Sequence, residues 1–196
     1  MATGFTPHER EQIMDALRSA AARHAAAQGS MKKISVNELC AEAGISKGAF
    51  YKFYPSKEHL FLDVMECWHQ SMSIEAEKAV QAAGSLNGQE RAALMMKTAC
   101  RVMREQPLAR FQETEVPLLL RKLPEEDMRN HTLTEAAVVH QILEKMHVKL
   151  TVSEEQAFNM ACILFRALLS ADQIGPSFDE ALNLLIDCAC KQIIEK

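Results

Sequence analysis

The stretch ISVNELCAEAGISKGAFYKFYPSKEHLF, residues 34–61, decides how the first part of this chain folds. Ser35 followed by Glu38 is a capping box, so a helix starts just after Ser35. Gly44 stops that helix and supplies the positive φ needed by a tight turn at Ala43-Gly44-Ile45. Ser46 caps a second helix, expected to run to about Phe53 because Pro55 prevents continuation. Ser56 caps a third. Leu39, Ile45 and Phe50 are spaced to pack the short pair against a preceding helix. The pattern is a helix-turn-helix, whose second helix lies in the DNA major groove with its N-terminal residues at base edges. Lys47 and Lys57 each follow a cap, where the helix dipole disfavours a cation by roughly a few tenths of a kcal/mol. The same helix ends welcome a phosphate, which would pair with each lysine. Solvation alone explains either lysine by itself. Two of them, flanking a helix that also offers Tyr51 and Lys52, point to phosphate.

Working outward, Thr6, Pro7 and Glu9 form another helix start, and Gly29 is the expected left-handed stop of the helix before the motif. Beyond the motif, helices are expected over about 57–80, 89–105, 108–115 (interrupted at Pro117), 125–150, 154–171 and 178–194. Seven glycines and six prolines among 196 residues leave few breaks, and the sequence holds no repeat and no low-complexity linker. The expected fold is all-α: a small N-terminal helix-turn-helix domain over 1–55 and a larger helical domain over 56–196.

Charge divides along the same line. Residues 1–60 carry a net of +2, whereas residues 61–196 carry −6, so a polyanion is expected at one end only. No run reaches the roughly 18 apolar residues of a membrane span, and no leader is evident. The six cysteines have no CxxC spacing. A cytoplasmic protein with free thiols is expected. No GxSxG, GxGxxG, Walker loop or HExxH occurs, which argues against an enzyme, and no cofactor is indicated.

GISKGAFYKFYPSKEHLF resembles the DNA-binding motif of TetR-family transcriptional regulators, and the likeness covers about residues 6–65. It implies that Lys47, Gly48 and Ala49 face base edges, that Tyr51 and Lys57 meet phosphates, and that Ser35 approaches the backbone, with Lys52 nearby. Two positions depart from the family pattern. Ala49 stands where threonine is frequent and offers only a methyl contact. Phe53-Tyr54 stands where tyrosine then phenylalanine is usual, so Phe53 has no hydroxyl for a phosphate and Tyr54 is expected in the core with its hydroxyl at the rim.

The resemblance further implies a homodimer on a palindromic double-stranded operator, released by a small-molecule inducer. Residues 157–169 read AFNMACILFRALL, apolar nearly all round, as expected of a helix buried on more than one side. That burial can be core alone or core plus a partner. The resemblance favours a four-helix dimer bundle with Phe158, Cys162, Phe165, Leu169, Ala181, Leu184, Leu185 and Cys188 at its interface. In the middle of the chain Met65, Trp68, Met72, Met95, Met96, Met103, Met128 and Met146 suit either an adaptable apolar ligand site or an ordinary core. The resemblance places an inducer there. His140, Glu144 and His147 would share one helix face and could hold a metal, although a solvated stripe explains them as well. A thiol sensor at Cys67, Cys100 or Cys162 competes with plain burial. A metal- or thiol-responsive regulator, and a helical interaction module that binds no operator, remain as alternatives.

Overall fold

The computed structural model describes residues 5–105, 109–130, 140, 143–144, 147–168 and 170–195, which are helical apart from turns and one isolated β-bridge. Helix α1 spans Pro7–Gln28. Thr6 Oγ1 accepts the Glu9 N–H at 3.2 Å and Glu9 returns a carboxylate oxygen to the Thr6 N–H at 2.8 Å. At the other end Gly29 takes φ 63° and donates to the Ala25 carbonyl. Leu17, Ala20, Ala21 and Ala25 form the buried stripe of α1; three alanines let its neighbours approach closely.

A 3-10 turn, Met31–Lys33, leads into α2, Val36–Glu42. Gly44 at φ 66° and the Ile45 N–H on the Cys40 carbonyl end α2 in a Schellman arrangement. Helix α3 is only Lys47–Phe50, shorter than expected. Beyond it the N–H groups of Lys52 and Phe53 bond three residues back, so the chain tightens into 3-10 turns before Pro55. Helix α4 spans Lys57–Ala82, α5 Gly88–Glu105, and α6 Ala109–Leu120.

The interruption expected at Pro117 does not occur, because α6 continues through it. Phe111, Glu115 and Leu119 are buried at i, i+4 and i+8, with Phe111 stacked on Phe61 at 5.2 Å. The proline falls within the last turn and removes a single N–H, a loss this buried stripe outweighs. The helix expected up to Leu150 also needs correction. His147 stands in a turn at φ 51°, and Leu150 pairs with Ile194 in the β-bridge. Helices α7 (Glu154–Leu168), α8 (Ala171–Ile174) and α9 (Phe178–Ile193) complete the described chain.

The chain packs as two compact units. One runs through His69 and includes α6 and its following turn to Leu123; the other takes Gln70 to the end of α5 and everything from Pro124 onward. In the second unit α5 and α9 lie antiparallel: Gln89 donates to the Ile194 carbonyl at one end, and Arg104 pairs with Asp179 at the other. Between them Lys97 meets Asp187 at 2.6 Å. Gly88 belongs there for space, since a Cβ would come within 3.2 Å of Val148.

Candidate nucleic-acid interface

The expected DNA-facing residues are presented by a rigid local scaffold. Ser46 Oγ accepts the Ala49 N–H at 3.2 Å and fixes the start of α3. Phe50 is fully buried beneath that helix, and Leu39 is buried beside it. The opposite side of α3 is left outward: Lys47 and Gly48 are exposed, Ala49 is partly so, and Tyr51 is 52% exposed with Lys52 beside it. The Tyr51 ring stands edge-on to Phe50 at 5.4 Å, which sets its direction. Neither Lys47 nor Lys52 has a carboxylate partner among the described residues. Ser35 is exposed, but its hydroxyl already accepts the Glu38 N–H at 3.2 Å.

Gly48 takes an ordinary negative φ, and a Cβ on it would meet only Ser46 Oγ at 3.9 Å. Nothing inside the chain requires glycine at that position. The residue weakens α3 and leaves open space on its outer surface.

Lys57 is used differently from Lys47. Its ammonium folds back, donating to the carbonyls of Met31 at 2.6 Å and Ile34 at 2.7 Å. Burial pulls its pKa below the usual lysine value, against the opposing pull of Glu58. The dipole penalty at the start of α4 is thus offset inside the chain, by two carbonyl oxygens.

Residues 19–64 match the family model described as bacterial regulatory proteins, tetR family. The chain carries a tetR-family regulatory domain. Over 93–94% of its length the chain shares the fold of solved structures of such regulators. A TetR transcriptional regulator from Rhodococcus sp. RHA1 superposes with TM-score 0.70 at 19% identity, over 93% of this chain and 96% of that one. RolR, solved in complex with resorcinol, gives TM-score 0.63 at 19% identity, over 94% and 90%. A TetR-family regulator from Vibrio parahaemolyticus gives 0.58 at 20%, over 93% and 98%. No curated protein matches the chain significantly in sequence. At such identities the likeness of the second unit is one of fold alone.

Within the first unit two internally bonded acids escaped the sequence reading. Asp63, on α4, accepts the Tyr54 hydroxyl at 2.5 Å and faces Arg18 of α1 at 3.4 Å, with the Cys67 thiol donating to it at 3.7 Å. Tyr54 is buried as expected, but its hydroxyl is held within the unit. Phe53 packs on Phe5 and under the Arg10 guanidinium at 4.9 Å. Glu115, buried on α6, accepts the Met31 N–H at 3.0 Å. Each acid breaks an apolar run or stripe, LFLDVM and Phe111/Glu115/Leu119, and an acid in such a place implies an internal donor.

The expected ligand residues divide between the units. Met65 and Trp68 are buried in the first, and Met72, Met95 and Met103 in the second, where Met96 and Met128 are half-buried. Met146 lies outside the described residues. The Trp68 Nε1–H is buried with no hydrogen-bond partner among the described residues. A cavity of about 670 Å³ in the second unit is lined by His140, Leu143, Val148, Leu150 and Glu154, among others, and no described methionine lines it.

Of the dimer-face residues, Phe158, Cys162 and Phe165 are half-buried, while Ala181, Leu184, Leu185 and Cys188 are exposed; Leu169 lies outside the described residues. The core side of α9 is instead Phe178, Leu182, Ile186 and Cys190.

The shared helix face imagined for His140, Glu144 and His147 is not there, since His147 is in a turn. His140 lies against Glu154 at 2.9 Å and Glu144 at 3.5 Å, and the Glu154 hydrogen bond raises its pKa. Among the described residues no set of three or more His, Cys, Asp or Glu is arranged to hold a metal. Burial pushes the Cys100 thiol up to about 12, and it raises Cys67 as well, so both favour the unreactive thiol form. No described helix is long and apolar enough to cross a membrane.

Proposed function

We propose that this protein is a transcriptional repressor that binds a palindromic operator as a homodimer and is released by a small-molecule inducer. Residues 1–55 would form the DNA-binding part and residues 56–196 the ligand and dimerisation part. The observation that carries the DNA reading is α3: a glycine that the fold does not need, beside two lysines with no acid to pair with and an outward tyrosine. Lys47, Gly48 and Ala49 then meet base edges, and Tyr51 and Lys52 meet the backbone.

The dimer reading rests on the outward leucines of α9 and on Ile163 of α7, which is 66% exposed. A twofold pairing places two recognition helices about 34–36 Å apart or somewhat farther, on one face of the duplex. The inducer reading rests on Trp68, because a buried indole N–H without an acceptor is unfavourable and a ligand oxygen would satisfy it. RolR binding resorcinol is a fold relative with a small polar-edged ligand. Releasing DNA about 100-fold takes about 2.7 kcal/mol of coupling.

The test is selection of duplexes by the purified protein from a random-sequence library. An enriched inverted repeat, bound as one dimer with steep salt dependence, is the expected result. Absence of enrichment at low salt would reduce the protein to a helical interaction module.

A further inference from the structure

We propose that Lys32 and Lys33, not Lys57, make the phosphate contacts beside the recognition helix, and that Lys57 acts by shaping the turn that presents them. The inference rests on the DNA-binding reading above. An ammonium has three donors, and two of those on Lys57 are engaged by the Met31 and Ile34 carbonyls, which bracket the 3-10 turn. The turn is held elsewhere too: Glu115 takes the Met31 N–H and Ser30 Oγ takes the Lys32 N–H. Met31 and Ile34 are buried, so the backbone between them is anchored at both ends, and Lys32 and Lys33 are turned outward and exposed.

Pairing separates these lysines from the other cations of the domain. Arg18 is matched by Asp15 and Asp63, Arg23 by Glu42, Arg10 by the Phe53 ring, and Lys57 by carbonyls. Within the described residues up to His69, the lysines and arginines left without an acid, a ring or a carbonyl are Lys32, Lys33, Lys47 and Lys52. Two of them stand on or just after α3. The other two stand on the turn that α4 touches at its first residue, immediately before exposed Ser35 and the start of α2. Unpaired ammonium groups on a pinned turn beside a helix N-terminus suit backbone phosphate, which needs charge and position but no base pattern.

The test measures binding of the full-length protein to a labelled mixed-sequence duplex between about 50 and 200 mM salt. Lys32→Gln with Lys33→Gln is expected to keep the wild-type melting temperature. It should weaken binding roughly tenfold or more at the lower salt and flatten the log–log salt slope by nearly two, at about 0.9 per phosphate. Adding Lys57→Met to that pair should lower the melting temperature with no further flattening. An unchanged slope in the double variant overturns the proposal while leaving DNA binding intact. A further loss of about one unit in the triple variant makes Lys57 a direct contact and overturns its positioning role. A wild-type protein with no salt-dependent binding removes the DNA reading itself, and this inference with it.

Discussion

The outward surface of α3 and that of α9 are opposites. Around α3 the exposed groups are lysines, a tyrosine and a bare glycine, while the apolar Phe50 is fully buried. On α9 the exposed groups include Leu184 at 64% and Leu185 at 59%, although the same helix also buries Phe178, Leu182 and Ile186. One helix thus separates apolar from polar and the other is apolar on two sides. A surface of the first kind is stable in water and gains from a polyanion; one of the second kind gains from leaving water. Under the function proposed above the two surfaces take different partners: duplex DNA for the first and a second copy of the chain for the second.

The most forceful way to break that comparison is to make the α9 surface polar. Leu184→Glu with Leu185→Glu should leave the monomer folded, since neither side chain contributes to its core. Four buried leucines lost per dimer, at about 1.5–3 kcal/mol each, with like charges brought together, predict a dimer weakened at least a thousandfold. Sedimentation velocity should show a monomer where the wild type sediments as a dimer, and operator affinity should collapse with it. A wild-type protein that is monomeric at micromolar concentration would mean that α9 needs another explanation.

A second change probes what keeps the α3 side rigid. Asp63→Ala strands the buried Tyr54 hydroxyl and leaves Arg18 with Asp15 and the Cys67 sulfur. Removing the shared acceptor should cost about 2–3 kcal/mol of stability in urea unfolding. Tyr54→Phe combined with Asp63→Ala should recover part of that loss, because no unpaired hydroxyl then remains. If Asp63→Ala costs under about 0.5 kcal/mol, the cluster is a surface feature with no hold on α4.

Legibility in the sequence followed the range of the interactions. Thr6/Glu9, Ser35/Glu38, Ser46, Gly29 and Gly44 act within a few residues, so the helix-turn-helix and its outward residues could be read directly. The direction of Lys57 could not, because its acceptors lie 26 and 23 residues back, in a turn whose shape is set partly by Glu115. Pro117 misled for a related reason: its local effect is real, but the stripe that overrides it packs against residues far away in sequence. His147 failed because a helical spacing was carried past the point where the helix ends. The α9 leucines were legible as apolar, whereas their division into a core side and an outward side required the partner helix α5.

Gly48 gives the smallest energy change and the sharpest contrast between the two surfaces. Gly48→Ala places a methyl group in open space at helical φ, so chain and fold both tolerate it. Helix propensity and a less flexible unfolded chain together predict a gain of up to about 1 kcal/mol, a rise of a few degrees in melting temperature. On DNA the same methyl group occupies the space where base edges approach, so operator affinity should fall tenfold or more. A solvent-facing glycine with no external partner would show the gain without the loss. Stability rising while binding falls, from one methyl group, is the behaviour expected only where the fold has given up stability to bring its backbone against another molecule.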